Sequence, residues 1–180
     1  MIDRFLHSEP TSLGRIDQPT SGYTVRLNEL RGMFADQGAW ERMVSDDDPI
    51  IYEVALVEPK EPGDSDLSYG VTVLHAGNVG GEFFFTRGHL HVPATRPELY
   101  YALSGAGVIL LADVGPDGVV RATDQVRLSP GWVGCVEGRW AHRTVNTGDT
   151  DLVFFYVWPS NTGHDYETMA RSGFGRHLKR

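Results

Sequence analysis

The pattern that most constrains this chain is a succession of short apolar runs, each closed by glycine or proline. Ile50–Pro59, Tyr69–Ala76, Glu82–His91, Leu99–Leu103, Val108–Val114, Val119–Leu128, Trp132–Val136 and Leu152–Trp158 are rich in Val, Phe, Tyr and Trp, residues that fit a pleated, half-buried surface. Gly115-Pro116-Asp117-Gly118 is a strong hairpin signal, and Gly77–Gly81 and Pro130-Gly131 mark further turns. A short strand is also predicted at Thr144-Val145. Many short strands with few helices predict an all-β sandwich or barrel.

Helical spacing is confined to the flanks. From Asn28, Leu30, Met33 and Phe34 fall on one helical face; Gly38 interrupts, and Ala39–Val44 reads as a second short turn. A C-terminal helix is predicted over about 165–173, with Gly173 beyond its end. The first 25 residues read as an arm or edge strand. The core spans roughly 50–160, and the 180 residues, 41% hydrophobic, suffice for one domain over 1–180.

A formal net charge of −8 gives no electrostatic attraction to nucleic acid or to an anionic membrane. An anionic small substrate therefore needs local compensation. Met1–Pro10 lacks a basic patch followed by an apolar core, no run approaches a membrane span, and the single cysteine, Cys135, allows no intrachain disulfide. Cytoplasmic placement is the expectation, with Cys135 a buried thiol. Asp46-Asp47-Asp48 reads as a solvated loop.

Two histidines one residue apart, His89 and His91, share a face if their segment is a strand. A carboxylate, Glu98, follows a loop marked by Pro93 and Pro97, and His142 offers a fourth ligand. Three neutral imidazoles and one carboxylate suit a divalent first-row metal and leave it a net charge near +1. Four protein ligands on an octahedral ion leave two positions for substrate oxygens.

His89-x-His91, six residues, Glu98, six residues, Gly105 resembles the first cupin motif. Gly131, ten residues, His142, three residues, Asn146 resembles the second, with Glu137 where many cupins have proline. Thr86-Arg87-Gly88-His89-Leu90-His91, Trp140-Ala141-His142-Arg143-Thr144-Val145-Asn146-Thr147-Gly148 and Gly163-His164-Asp165-Tyr166 are similar to signatures of the cupin-type phosphoglucose isomerases of archaea and some bacteria. Ile51–Val54 and Val71–Leu74 also fit, so the resemblance runs from about Leu27 to Phe174. It implies a double-stranded β-helix and a homodimer, with one divalent metal per subunit held by His89, His91, Glu98 and His142: Fe²⁺ first, with Mn²⁺, Ni²⁺ or Zn²⁺ also suited.

The resemblance further implies interconversion of glucose 6-phosphate and fructose 6-phosphate through a metal-stabilised cis-enediolate. Glu98 is the candidate base, yet coordination lowers its basicity; either it loosens when substrate binds or a metal-assisted hydride shift replaces it. His164 is a candidate for handling a hydroxyl proton or opening the sugar ring. By family analogy Thr72, Thr86 and the Gly88 backbone anchor the phosphate, and Tyr52, Tyr100 and Tyr166 line the pocket. Arg87 and Arg96 are alternative phosphate partners; strand alternation places Arg87 on the surface. Trp158 stands where the family often has tyrosine and so keeps an N–H donor while losing an acceptor. His7, His75 and His177 match no motif. Three other readings stay open: an isomerase for a related sugar phosphate such as mannose 6-phosphate, an iron dioxygenase, and a non-catalytic sugar-phosphate-binding or metal-binding cupin.

Overall fold

The computed structural model describes residues 16–180, so most of the expected arm, and His7, lie outside the described residues. In chain order the elements are β1 (Ser21–Arg26), a 3-10 turn (Leu27–Leu30), α1 (Gln37–Asp46), β2 (Ile50–Val57), β3 (Leu67–Leu74), β4 (Asn78–Val79), β5 (Glu82–Phe83), β6 (Leu90–Val92), β7 (Glu98–Ser104), β8 (Gly107–Val114), β9 (Val120–Leu128), β10 (Val133–Val136), β11 (Ala141–Asn146), β12 (Leu152–Pro159), β13 (Gly163–Asp165) and α2 (Tyr166–Ser172). The chain is all-β with two short helices, as the run pattern predicts. No helix among the described residues is long and apolar enough to cross a membrane.

A six-stranded sheet, ordered β1-β2-β3-β12-β7-β10, and a three-stranded sheet, β11-β8-β9, form the two main layers, with small pairs β13-β6 and β4-β5. The register of the large sheet decides what faces the interior. Val54 lies beside Thr72, Thr72 beside Phe154, and Phe154 beside Ala102; one step along, Gly70, Tyr156 and Tyr100 align. Because side chains alternate, these residues share one face. Gly70 is required there by close approach: a Cβ would lie 2.9 Å from the Tyr156 ring and 2.7 Å from Leu56.

In the opposite layer β9 is largely exposed, whereas every residue of β11 is buried; His142 and Thr144 alternate with Arg143, which stacks on Phe174. Because the buried positions of β11 include His142, Arg143, Thr144 and Asn146, the sequence shows no apolar run there and only Thr144-Val145 reads as strand.

Three expectations need correction. The run from Glu82 to His91 is not one strand: β5 ends at Phe83, isolated bridges at Phe85 and His89 reach β11, and β6 pairs with β13. The chain changes partners along this stretch, so alternation fails within it. The N-terminal helical region is a 3-10 turn followed by a single α1, started by the Asp36 side chain, which accepts from Ala39 N at 2.9 Å. Gly38 sits in the first turn, where backbone N–H groups have no intrahelical partner to lose. Cys135 is exposed, since β10 buries Val136 and turns Val133 and Cys135 outward.

Asn146 closes the core end of β11. Its Nδ2 donates to Leu74 O and Thr150 O, both at 2.9 Å, and its Oδ1 accepts from Gly148 N at 3.0 Å. It is fully buried. Asn146→Ala leaves these groups without partners and is expected to destabilise the fold by about 2–3 kcal/mol. Urea unfolding measures this; an unchanged midpoint would remove the role.

Candidate metal centre

His89 and His142 are locked together by the backbone. His89 N donates to His142 O at 3.2 Å and His142 N to His89 O at 3.0 Å, which puts both side chains on one face with ring centroids 4.5 Å apart. His91 follows two residues later and stacks on His89 at 5.2 Å. Glu98 enters from the other layer as the first residue of β7. One ligand atom from each of His89, His91, Glu98 and His142 lies within 4.8 Å of the others.

The second nitrogens explain why this cluster fits a cation. His91 Nδ1 lies 2.6 Å from Arg96 O and His142 Nδ1 lies 3.1 Å from Trp140 O. A carbonyl only accepts, so each Nδ1 carries the proton and each Nε2 presents a lone pair. Those lone pairs meet Glu98 Oε2, at 2.9 Å from His142 Nε2 and 3.3 Å from His91 Nε2. Acceptors facing acceptors need a positive species between them. His89 Nε2 and His91 Nε2 are buried and have no hydrogen-bond partner among the described residues. Three imidazoles and one carboxylate aimed at one point suit a divalent ion with Zn, Fe, Ni or Mn character.

Without that ion, a proton takes its place. Burial pulls His91 down, but Glu98 and the Arg96 carbonyl outweigh it and raise the imidazole above its ordinary value. Burial pushes Glu98 up, while His142 and His91 overcome it and hold the carboxyl well below the usual carboxylate range. Burial, reinforced by His142, lowers His89. His164 is pushed down to about 4 by burial and by His91, so its ring is neutral near pH 7.

A cavity opens over this cluster, lined by His89 and Glu98, and also by Tyr52, Thr72, Thr86, Tyr100, Trp158, His164 and Tyr166. His91 and His142 lie behind it, buried. Gly88 does not line it either: a Cβ there would come within 2.1 Å of the Phe174 ring, so the space left by the missing side chain is filled by that ring. Thr86 Oγ1 accepts from Thr144 N at 3.0 Å and Tyr52 Oη accepts from Arg87 N at 3.4 Å. Burial raises Tyr52 to about 12, and burial with the Glu98 charge raises Tyr100 well above its ordinary value. Both are neutral donors.

Arg87 is half-buried on the cavity wall rather than on the surface, its Nη2 tied to Glu29 O at 3.0 Å. Irregular backbone between Phe84 and His89 defeats the alternation that predicted otherwise. Arg96 lies elsewhere, 3.8 Å from Asp64. His75 sits between Asp151 and Glu53, and His177 pairs with Glu82. Tyr156 was missed in the sequence, yet it stacks between Trp158 at 5.4 Å and Tyr100 at 6.0 Å and lines the cavity. Period-two spacing of Phe154, Tyr156 and Trp158 carried that signal. Tyr23, on edge strand β1, also lines the cavity and had no motif to mark it.

Comparison with known proteins identifies relatives of this chain. A family model described as glucose-6-phosphate isomerase matches residues 25–177. The glucose-6-phosphate isomerase of Thermococcus litoralis is 43% identical over 151 residues, covering 84% of this chain and 76% of the relative. That of Pyrococcus abyssi is 44% identical over 84% of this chain and 77% of its own length, and that of Sinorhizobium medicae 37% over 89% and 72%. Among solved structures, the oxalate decarboxylase formate complex of Lactobacillus farciminis is similar at 17% identity and a TM-score of 0.46, over 61% of this chain and 29% of that one. With a family match across most of its length and relatives of this identity, the chain belongs to the glucose-6-phosphate isomerase family.

Proposed function

We propose that the protein is a metal-dependent aldose–ketose isomerase that interconverts glucose 6-phosphate and fructose 6-phosphate. The observation that carries this reading is the lone-pair cluster of His89, His91, Glu98 and His142 set at the floor of a cavity whose walls bear Thr72, Thr86 and Arg87. A divalent ion held by these four residues would supply Lewis-acid stabilisation of negative charge on substrate oxygen.

The chain's own groups supply the rest. Arg87 is a cation on the cavity wall, and Thr72 and Thr86 are neutral donors; together they suit a phosphate. Arg87 joins the anchor in place of the Gly88 backbone, which Phe174 covers. Tyr52, Tyr100, Tyr166 and Trp158 offer flat apolar surface and single donors to an open-chain sugar. Glu98 is an ionised carboxylate reaching the cavity and takes the role of base for the proton moved between C2 and C1. His164, neutral near pH 7, passes a proton between the two substrate oxygens. A homodimer belongs to the same reading, supported by the outward apolar side chains Leu99, Tyr101 and Val133.

A coupled assay on metal-stripped protein reloaded with Fe²⁺, Mn²⁺, Ni²⁺ or Zn²⁺ tests the activity; no turnover with any metal sinks it. Glu98→Gln is expected to keep the fold, weaken metal binding and remove most turnover; near-normal rates at saturating metal exclude Glu98 as base.

Arg87→Ala removes a charge-assisted contact of about 1.5–3 kcal/mol. It is expected to raise KM for the phosphorylated sugar roughly 10- to 100-fold with a smaller change in kcat. Equal KM values place the phosphate elsewhere.

Metal affinity should rise with pH. In the metal-free protein the contribution of the raised His91 is present below the ordinary imidazole value and is lost as pH rises through the raised one. That of the lowered Glu98 is present above the ordinary carboxylate range and is lost as pH falls through the lowered value. At mildly acidic pH the metal must displace a proton from this pair. Titration with Mn²⁺ is expected to give tighter binding and less proton release at pH 8 than at pH 6.5; a pH-independent affinity contradicts the proton-for-metal exchange.

A further inference from the structure

Between Phe83 and Leu90 the segment that carries His89 belongs to no named strand. Its edge toward β11 is bonded: Asn146 N donates to Phe84 O at 3.0 Å, Thr86 N to Thr144 O at 2.9 Å, Thr144 N to Thr86 Oγ1 at 3.0 Å, and His89 and His142 exchange two bonds. A metal ligand must also be fixed by what packs against its backbone. Residues beyond α2 supply that packing.

Phe174 is the point of contact. Its ring fills the notch left by Gly88, the residue before His89, where a Cβ would meet ring atoms at 2.1 and 2.3 Å. The φ of Gly88 is not in the left-handed region, so packing and not backbone conformation requires glycine there. The same ring faces Arg143, the residue after His142: the Arg143 guanidinium lies 4.8 Å from the Phe174 centroid and 4.0 Å from that of Phe85, a cation held between two aromatic faces. One side chain thus touches the neighbours of two metal ligands.

The strand-like tail behind Phe174 is fixed at several points. Arg143 Nη2 donates to Arg176 O at 3.2 Å. Phe83 N donates to Leu178 O at 3.0 Å and Arg180 N to Gly81 O at 2.9 Å. His177 Nδ1 meets Glu82 Oε1 at 2.7 Å, while Glu82 Oε2 accepts from Ala35 N at 2.8 Å. Arg180 Nη2 donates to Asp149 at 2.6 Å.

We propose that residues 174–180 clamp the metal-ligating segment, with Phe174 a positioning residue that sets His89 and His142 through Gly88 and Arg143. The inference rests on the metal-centre reading above. Because coupling between two events is reciprocal, a clamp that favours metal binding is itself tightened by the metal.

Two measurements test it, both with Co²⁺ as the probe. In the first, Co²⁺ affinity is compared among the unaltered protein, Phe174→Ala and Phe174→Leu. Phe174→Ala is expected to bind about 10-fold more weakly, the lower end of the loss seen when outer partners of a metal site are removed, and Phe174→Leu to recover part of the loss. In the second, hydrogen exchange of the Phe83 and Arg180 amides is followed in the unaltered protein with and without Co²⁺, and both are expected to slow when it binds. Equal Co²⁺ affinity in a folded Phe174→Ala, or unchanged exchange at both amides, overturns the clamp while leaving the metal centre intact. Failure of the unaltered protein to bind Co²⁺ overturns both. If Phe174→Ala does not fold, the exchange experiment decides alone.

Discussion

The arrangement around Glu98 Oε2 is the contact on which the rest depends. The carboxylate is almost fully buried, and an isolated buried charge is strongly unfavourable. Its nearest partners are imidazole nitrogens whose opposite sides are committed to backbone carbonyls at Arg96 and Trp140. Those carbonyls fix tautomer and ring direction together, so the lone pairs cannot turn away. The cluster is therefore unsatisfied, and net negative, while its imidazoles are neutral and Glu98 is ionised, and becomes satisfied when a cation or a further proton enters. Affinity for a positive species is built into the backbone that surrounds the ligands as much as into the ligands themselves.

Sheet geometry gives the cluster its surroundings. Antiparallel register across β2, β3, β12 and β7 brings Thr72, Tyr156 and Tyr100 onto one face, and Gly70 opens room for the Tyr156 ring. The ladder Trp158–Tyr156–Tyr100 then runs along the cavity wall toward Glu98. Aromatic rings in such stacks have little freedom to rearrange, which makes the wall a rigid template for a flat or extended polyol. Trp158 ends this stack and contributes an indole N–H donor to the cavity wall.

Much of this was legible in the sequence because regular strands obey a fixed period. The spacing of His89, His91, Glu98 and His142 marked a candidate ligand set, and the runs 50–59, 69–76, 99–103 and 152–158, legible from apolar content and turn residues, overlap the strands Ile50–Val57, Leu67–Leu74, Glu98–Ser104 and Leu152–Pro159. The failures share one physical origin. Between Phe85 and His89 the pairing with β11 slips by one residue, so alternation misplaced Arg87. Gly88 looked like an opening for an anion, because an absent Cβ reveals room without revealing what fills it; a residue 86 positions later, Phe174, does so. β11 was nearly invisible because its buried positions carry His142, Arg143, Thr144 and Asn146, so burial there leaves no apolar run. Long-range packing, unlike period, leaves no local trace.

The charge of the whole protein and the charge of the site are separate matters. A net charge of −8 acts mainly through surface groups, whose fields are screened over about 8 Å in physiological salt. Inside the cavity, water is scarce and screening is weaker, so the few groups present decide. Burial keeps Tyr52, Tyr100 and Tyr156 neutral, because it raises all three phenols. The Glu98 carboxylate is opposed by imidazoles that are ready for a cation, and Arg87 adds a positive charge on the wall. An acidic protein can therefore accept an anionic substrate without a basic surface: its remedy is a small pocket in which phenols cannot ionise and the one buried carboxylate is already spoken for.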